Sequence, residues 1–179
     1  MITERVAEGV TRLYSSVTIL TYSVRSPFPL ITHELQPVIW VTQRQNLMKT
    51  VLIVEDDLIN ARVFSKILTK RGGLGVKHTE NVEEVMQIAK GGEADIILMD
   101  VSLSRSVYQG KAVDGIKITQ MLKADPQTAK LPIILVTAHA MEGDRENFLK
   151  QSGADGYISK PVVDHQQFVE QILALLPKD

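Results

Sequence analysis

A regular alternation of short apolar runs with helix-like segments is the feature that most constrains how this chain folds after Met48. Each run has the length of a buried strand, and the segment after it carries apolar residues at helical spacing. The predicted strands cover residues 51–54, 74–79, 95–99, 132–136 and 156–159. The predicted helices cover residues 57–70, 82–90, 114–124, 142–151 and 164–176, and the first carries Ile59, Val63, Ile67 and Leu68 on one side.

Strands that are apolar along their whole length favour a parallel sheet that helices cover on both faces. Right-handed crossovers then predict an α/β fold with a doubly wound, five-stranded parallel sheet of order 2-1-3-4-5, the flavodoxin-like (βα)5 arrangement. In open sheets of this kind, functional sites lie beyond the carboxyl ends of the strands, beside the reversal in strand order. The residues that directly follow the strands are therefore the first candidates for chemistry.

Composition excludes several classes of function. The chain has no cysteine, which excludes disulfide scaffolds, thiolate zinc sites and cysteine nucleophiles. Its 20 Lys and Arg residues nearly balance 21 Asp and Glu residues, whereas a surface for nucleic acid or anionic membrane needs a basic excess. The apolar-leaning stretch at 13–24 is too short to span a bilayer. We therefore expect a cytoplasmic protein that contacts neither nucleic acid nor membrane.

The first 47 residues differ from the rest of the chain. Seven of them are charged, compared with 34 of the remaining 132, and Pro27, Pro29 and Pro37 prevent a long helix. Strand-like pieces such as residues 38–41 occur, but no periodic face predicts a core. Three interpretations stay open: a poorly structured extension, a start codon assigned upstream of a native start at Met48, or a partner-binding segment. We accordingly predict an extension over residues 1–47 and one domain over residues 48–179.

Acidic, hydroxyl and basic side chains follow the predicted strands. They are Glu55, Asp56 and Asp57 after the first strand, Asp100 after the third, Thr137 after the fourth and Lys160 after the fifth. Carboxylates gathered at one edge of a sheet repel one another unless a cation joins them. A hard divalent ion with oxygen ligands, Mg²⁺ above all, is the natural counter-charge. Asp57 is expected to cap the first helix.

These motifs together resemble the receiver domain of two-component response regulators. The resemblance covers residues 48–178 and consists of Glu55-Asp56-Asp57, Leu98-Met99-Asp100, Thr137-Ala138 and Lys160-Pro161, in order and each at the end of an apolar strand. It implies that Asp100 takes a phosphoryl group from a phosphohistidine of a sensor histidine kinase or a histidine phosphotransfer protein. Such a protein is a phosphoacceptor switch that carries a 4-aspartylphosphate and slowly dephosphorylates itself, and it is not an enzyme in the usual sense.

The resemblance also implies roles for the neighbours of Asp100. Glu55, Asp56 and the backbone carbonyl of Ser102 complete an Mg²⁺ site with Asp100 itself. Lys160 and Thr137 contact the phosphoryl group, and Tyr157 changes rotamer when Thr137 moves. The family places a cis peptide before Pro161, and Ser102 and His139 flank the route of the water that hydrolyses the phosphate.

One departure from the family pattern is the loop over residues 101–113, which is about seven residues longer than usual and has Ser104 in place of a proline. Two interpretations of this loop stay open. In the first, Arg105, Tyr108 and Lys111 restrict kinase access, contact the phosphoryl group or recognise a partner. In the second, the loop is a tolerated insertion. His33, His78 and His165 show no metal-ligand spacing and are interpreted as surface or packing residues.

The expected function is that of a stand-alone, single-domain response regulator in a phosphorelay. Its output would be contact with a downstream protein through the fourth helix, fifth strand and fifth helix, and the resemblance allows homodimerisation on phosphorylation. The alternative is an interaction module that works without phosphorylation. An aspartyl-phosphate hydrolase would need a second acid where Ser102 stands, and three acids after the first strand would repel the phosphate of a flavin cofactor.

Overall fold

The computed structural model describes residues 48–103, 106–138 and 144–177 together with the backbone of residues 10–14 and 17–21. The chain divides into two units, Met1–Leu47 and Met48–Asp179. In the first unit, β1 (Val10–Tyr14) and β2 (Val17–Thr21) pair antiparallel, with Tyr14 opposite Val17. Residues 38–41 lie outside the described part, and the interpretation of residues 1–47 as an extension stays a prediction.

The second unit contains the predicted strands and helices. The strands are β3 (Thr50–Val54), β4 (Gly75–Thr79), β5 (Ile96–Asp100), β6 (Val107–Tyr108), β7 (Lys111–Ala112), β8 (Ile133–Thr137) and β9 (Gly156–Ser159). The helices are α1 (Leu58–Gly72), α2 (Val82–Lys90), α3 (Gly115–Ala124), α4 (Asp144–Ser152) and α5 (His165–Leu175). In the described residues, no helix is long and apolar enough to span a bilayer.

The main sheet has five parallel strands in the order β4-β3-β5-β8-β9. Numbered within the sheet alone this is 2-1-3-4-5, so the predicted doubly wound fold is confirmed. Alternate side chains of β3 enter two separate cores, with Leu52 on the side of α2 and α3 and Ile53 on the side of α1 and α5. Burial of both faces explains why the central strands β3, β5 and β8 are apolar along almost their whole length.

The predicted buried face of α1 was partly wrong. Ile59 and Val63 are 72% and 43% exposed, whereas the buried stripe is Ala61, Phe64, Ile67 and Leu68. The Phe64 ring packs against Phe168 of α5 with the ring centroids 5.5 Å apart. This contact turns the helix so that its aromatic residue, and not the branched residues beside it, lies against the sheet.

A short polar residue precedes α1 and a glycine follows it. Asp57 caps α1 as predicted, since its side chain accepts hydrogen bonds from the amides of Ile59 and Asn60 at 2.7 and 3.3 Å. Gly73 ends the same helix with a φ of 61°, a backbone conformation that glycine adopts without a steric penalty. The chain therefore turns sharply at each end of α1 and returns to the sheet.

Gly115, the first residue of α3, lies directly against the backbone of Asp100. A Cβ atom at this position would overlap the Asp100 carbonyl oxygen, and the Gly115 amide donates a hydrogen bond to Val101 at 3.2 Å. The close approach holds the start of α3 against the end of β5. Val101, the residue after this strand, is therefore positioned by backbone contacts.

We expect Gly115→Ala to destabilise the protein by about 1–3 kcal/mol, because a buried backbone must shift to admit the methyl group. Urea unfolding measures the change. Lys117→Ala, an exposed substitution on the same helix, is the control and is expected to stay within about 0.5 kcal/mol of wild type. Equal stability of Gly115→Ala and the control would contradict the close approach.

Candidate functional site

The polar residues predicted from the strand ends do lie at one edge of the sheet. Parallel strands that start on one side all end on the other, so the residues after them converge. Glu55 and Asp56 follow β3, Asp100 ends β5, Thr137 ends β8, and Lys160 follows β9. The Lys160 amide also donates a hydrogen bond to the Thr137 carbonyl at 2.8 Å, which ties the last two strand ends together.

Three carboxylates form a compact cluster at this edge. One oxygen from each of Glu55, Asp56 and Asp100 lies within 4.8 Å of the others. Glu55 and Asp100 are buried, with 2% and 4% of their surface exposed, and Asp56 is half-buried. Oxygen ligands from several carboxylates, one of them still open to solvent, match what Mg²⁺ prefers.

The Lys160 ammonium group contacts two of these carboxylates. Its Nζ lies 2.7 Å from Glu55 Oε2 and 3.2 Å from Asp100 Oδ2, and its side chain is mostly buried. Within the described residues, Glu55 Oε2 is buried with this ionic neighbour but without a well-oriented hydrogen bond. A single ammonium therefore faces more negative charge than it can neutralise, which leaves room for a further cation.

The pKa of Glu55 is raised above its usual value of 4.5. Burial is the main cause, and the neighbouring Asp100 carboxylate adds to it. The ionic contact with Lys160 acts in the opposite direction without cancelling burial. In the metal-free protein, the ionised form of Glu55 is thus less favourable than in water.

Backbone groups orient the acidic side chains. The Ser102 amide donates to Asp100 Oδ1 at 3.2 Å, and the Asp57 amide donates to Glu55 Oε1 at 3.3 Å. Ser102 itself is exposed two residues beyond β5. Glu55 and Asp100 are therefore each held by the chain that directly follows their own strand.

His78 contributes a contact that the sequence interpretation missed. One of its ring nitrogens lies 2.8 Å from the Glu55 carbonyl oxygen, because β4 pairs with β3 in a register that places His78 beside Ile53. The predicted strand order already made the first two strands neighbours. Combining that order with the register of the pair would have found this histidine.

Thr137 and Tyr157 lie on the neighbouring strands β8 and β9. Thr137 is fully buried, and Tyr157 is half-buried with its ring stacked on Phe148 of α4 at a centroid distance of 6.4 Å. The peptide between Lys160 and Pro161 is cis, as the resemblance implied. His139 lies outside the described residues.

Comparison with known proteins identifies the family of the second unit. The family model for the response regulator receiver domain matches residues 51–173. The chain belongs to the response regulator receiver family. Receiver domains are phosphoacceptor switches of two-component signalling rather than ordinary enzymes, they bind Mg²⁺ at an acidic site, and in general they work with histidine kinases and downstream targets.

Two relatives are polar-differentiation response regulators named DivK. The protein from Brucella anthropi is 36% identical over 128 residues, which is 72% of this chain and 96% of the relative. The protein from Brucella abortus is 35% identical over 130 residues, or 73% of this chain and 98% of the relative. The chain is therefore similar to DivK over almost the whole length of DivK.

Solved receiver structures share the fold. A putative response regulator from Chloroflexus aurantiacus has a TM-score of 0.62 at 26% identity and covers 73% of this chain and 99% of its own. The receiver domain of the sensor histidine kinase PA1611 from Pseudomonas aeruginosa, with a magnesium ion coordinated in its active site cleft, has a TM-score of 0.57 at 29% identity. That match covers 71% of this chain and 98% of the PA1611 domain.

We expect Glu55 to make the metal-free receiver less stable as the pH rises above about 4.5, because its pKa is raised in the folded protein. Over that range folded Glu55 binds more protons than the same side chain in the unfolded chain, so its contribution to the free energy of unfolding falls with increasing pH. Glu55→Gln removes this contribution and should flatten the profile, so that its advantage over wild type is larger at pH 7 than at pH 4.5.

Urea unfolding in EDTA over this pH range tests the expectation. Glu170→Gln, which replaces an exposed glutamate on α5, is the matched control and should follow wild type. If the free energy of unfolding depends on pH in the same way for wild type and Glu55→Gln, Glu55 does not make the predicted contribution.

Proposed function

We propose that Asp100 accepts a phosphoryl group from a phosphohistidine of a sensor histidine kinase or histidine phosphotransfer protein. The observation that carries the proposal is the position of the Asp100 carboxylate, 3.2 Å from the Lys160 ammonium and within 4.8 Å of Glu55 and Asp56 oxygens. A carboxylate nucleophile beside fixed positive charge and acidic metal ligands is what in-line phosphoryl transfer requires.

In this reaction, one Asp100 oxygen forms a bond to phosphorus while the bond between phosphorus and the imidazole nitrogen of the donor breaks. The product is a 4-aspartylphosphate on Asp100. Lys160 Nζ is close enough to Asp100 Oδ2 to donate to a phosphoryl oxygen, and the Thr137 hydroxyl supplies a second donor. The acyl phosphate then hydrolyses slowly, which makes the signal self-limiting.

An Mg²⁺ ion would be held by the carboxylates of Glu55, Asp56 and Asp100 and by the backbone carbonyl of Ser102. The buried, charge-rich oxygens of the cluster fit this ion. When bound, the metal supplies positive charge against the phosphoryl oxygens. The magnesium ion in the cleft of the PA1611 receiver, a relative with the same fold, supports this part of the proposal.

Output is proposed to be contact with a downstream protein through α4, β9 and α5, with homodimerisation on phosphorylation as one form of that contact. A cleft of about 440 Å³ lies at this face, and Tyr157 is among its lining residues together with Arg145, Pro161 and Gln167. Movement of Thr137 toward the phosphoryl group would free space that Tyr157 enters, which changes the shape of the face. Phosphorylation would thus shift an existing equilibrium between two conformations.

The first test is labelling with phosphoramidate in the presence and absence of Mg²⁺. We expect wild type to gain an acid-stable, base-labile phosphate with Mg²⁺ only and Asp100→Asn to gain none, because the nucleophilic oxygen is lost. Asp125→Asn, at an aspartate that forms a surface ion pair with Lys90, is the matched control and should label like wild type. Equal labelling of Asp100→Asn and wild type would remove the assignment of Asp100.

The second test compares amide exchange in the two phosphorylation states. We expect phosphorylation to change protection in residues 144–163, which carry α4, β9 and the Tyr157 ring, and to leave α1 unchanged. Identical exchange in residues 144–163 would contradict the switch. A protein that is never labelled would instead match the alternative of a phosphorylation-independent interaction module.

A further inference from the structure

The long loop after β5 contains an ordered hairpin. Strands β6 and β7 pair antiparallel, and the Val113 amide donates to the Ser106 carbonyl at 3.0 Å next to this pair. The turn residues Gln109 and Gly110 both have positive φ, at 49° and 75°, which matches the two-residue turns that follow the twist of a hairpin. Residues 106–113 therefore form a structured element.

Tyr108 anchors this hairpin to the body of the domain. Its half-buried side chain packs against the core cluster that includes Val82 and Val85 of α2. Val107, the preceding residue, is 53% exposed. Val113, at the end of the hairpin, packs against the same core cluster, so Tyr108 and Val113 hold the hairpin to the domain while Val107 faces solvent.

A cleft of about 330 Å³ separates the hairpin from the start of α2. Ser106 and Val107 line one part of it, residues 80–83 line another, and Asp56 of the acidic cluster lines it as well. Because Asp56 belongs to both, the cleft adjoins the acidic cluster that contains Asp100. A phosphodonor that approaches from this side passes between the hairpin and α2.

The charged residues among the described lining of this cleft are all acidic. Asp56, Glu80 and Glu83 line it, and none of the described lining residues is basic. Lys111 lies on the second strand of the hairpin and is not among the lining residues. A cleft with walls of low dielectric concentrates the electrostatic potential of the charges that line it. The hairpin, as one wall, therefore strengthens the negative potential of Glu80 and Glu83, which solvent would otherwise screen.

We propose that Glu80 and Glu83, with the hairpin as the facing wall, determine which phosphodonors reach Asp100. The cleft disfavours small dianionic donors and favours a phosphohistidine on a protein that presents basic side chains to it. This inference rests on the proposed function, since it concerns the approach to the same aspartate.

Two small phosphodonors of different charge test the proposal on the whole chain with Mg²⁺. Acetyl phosphate is a dianion at neutral pH and releases acetate, whereas phosphoramidate carries a single net negative charge and releases ammonia. We expect the double variant Glu80→Gln/Glu83→Gln to raise the ratio of the acetyl phosphate rate to the phosphoramidate rate about threefold at low ionic strength. At high ionic strength, where charges are screened, the ratio should match that of wild type.

Two further variants separate charge from structure. Glu170→Gln removes an exposed charge on α5, far along the chain from the cleft, and should leave the ratio unchanged. Tyr108→Ala removes the anchor of the hairpin and should raise the ratio in the same direction as the double variant, by a smaller factor. Glu83 also lies in the first turn of α2, where a negative charge stabilises the helix. Thermal unfolding of each variant is therefore measured together with the labelling rates, to show that the variants stay folded.

The outcomes are distinct. A rate ratio that the double variant leaves unchanged at low ionic strength would overturn the role of Glu80 and Glu83. A ratio that changes equally at low and high ionic strength would overturn the electrostatic origin. Absence of Asp100-dependent labelling from both donors in every variant would instead remove the proposed function.

Discussion

The contact between one ammonium group and the converging carboxylates is the interaction on which the rest of this site depends. Parallel strands bring Glu55 and Asp100 to one edge, where both are buried and their oxygens lie within 4.8 Å of each other, so their negative charges repel. Lys160 offsets part of this repulsion. Burial, with a smaller contribution from Asp100, still raises the pKa of Glu55 and makes the pocket suited to a divalent ion.

The scaffold that holds these groups is rigid because its three central strands, β3, β5 and β8, are buried on both faces. Helices α1 and α5 close one core and α2 and α3 close the other, so the backbone of these strands cannot shift without disturbing packed side chains. The close contact between Gly115 and Asp100 extends this rigidity to the site itself. The inserted hairpin and the start of α2 line one cleft together with Asp56 of the acidic cluster.

Most elements could be predicted from the sequence because hydrophobic periodicity is a local property of the chain. The bounds of α2 and β9 agree with the prediction, and the other helices and strands of the domain differ by a few residues at their ends. The orientation of α1 could not be predicted, since Phe64 and Phe168 are far apart in the chain and meet only in the folded domain. The hairpin inside the long loop was also missed, because its strands have two residues each and too little periodicity to recognise.

The sequence by itself determined the fold class, the family and the identity of the strand-end residues, because each strand carries its polar residue directly behind its apolar run. Tertiary structure decided which of those residues meet, with Lys160 between Glu55 and Asp100, and which unexpected neighbours join them, as His78 does across β4 and β3. It also decided that the inserted residues form one wall of an acidic cleft. The physical reason is that strand register and long-range packing fix distances between residues, whereas local sequence fixes only their order.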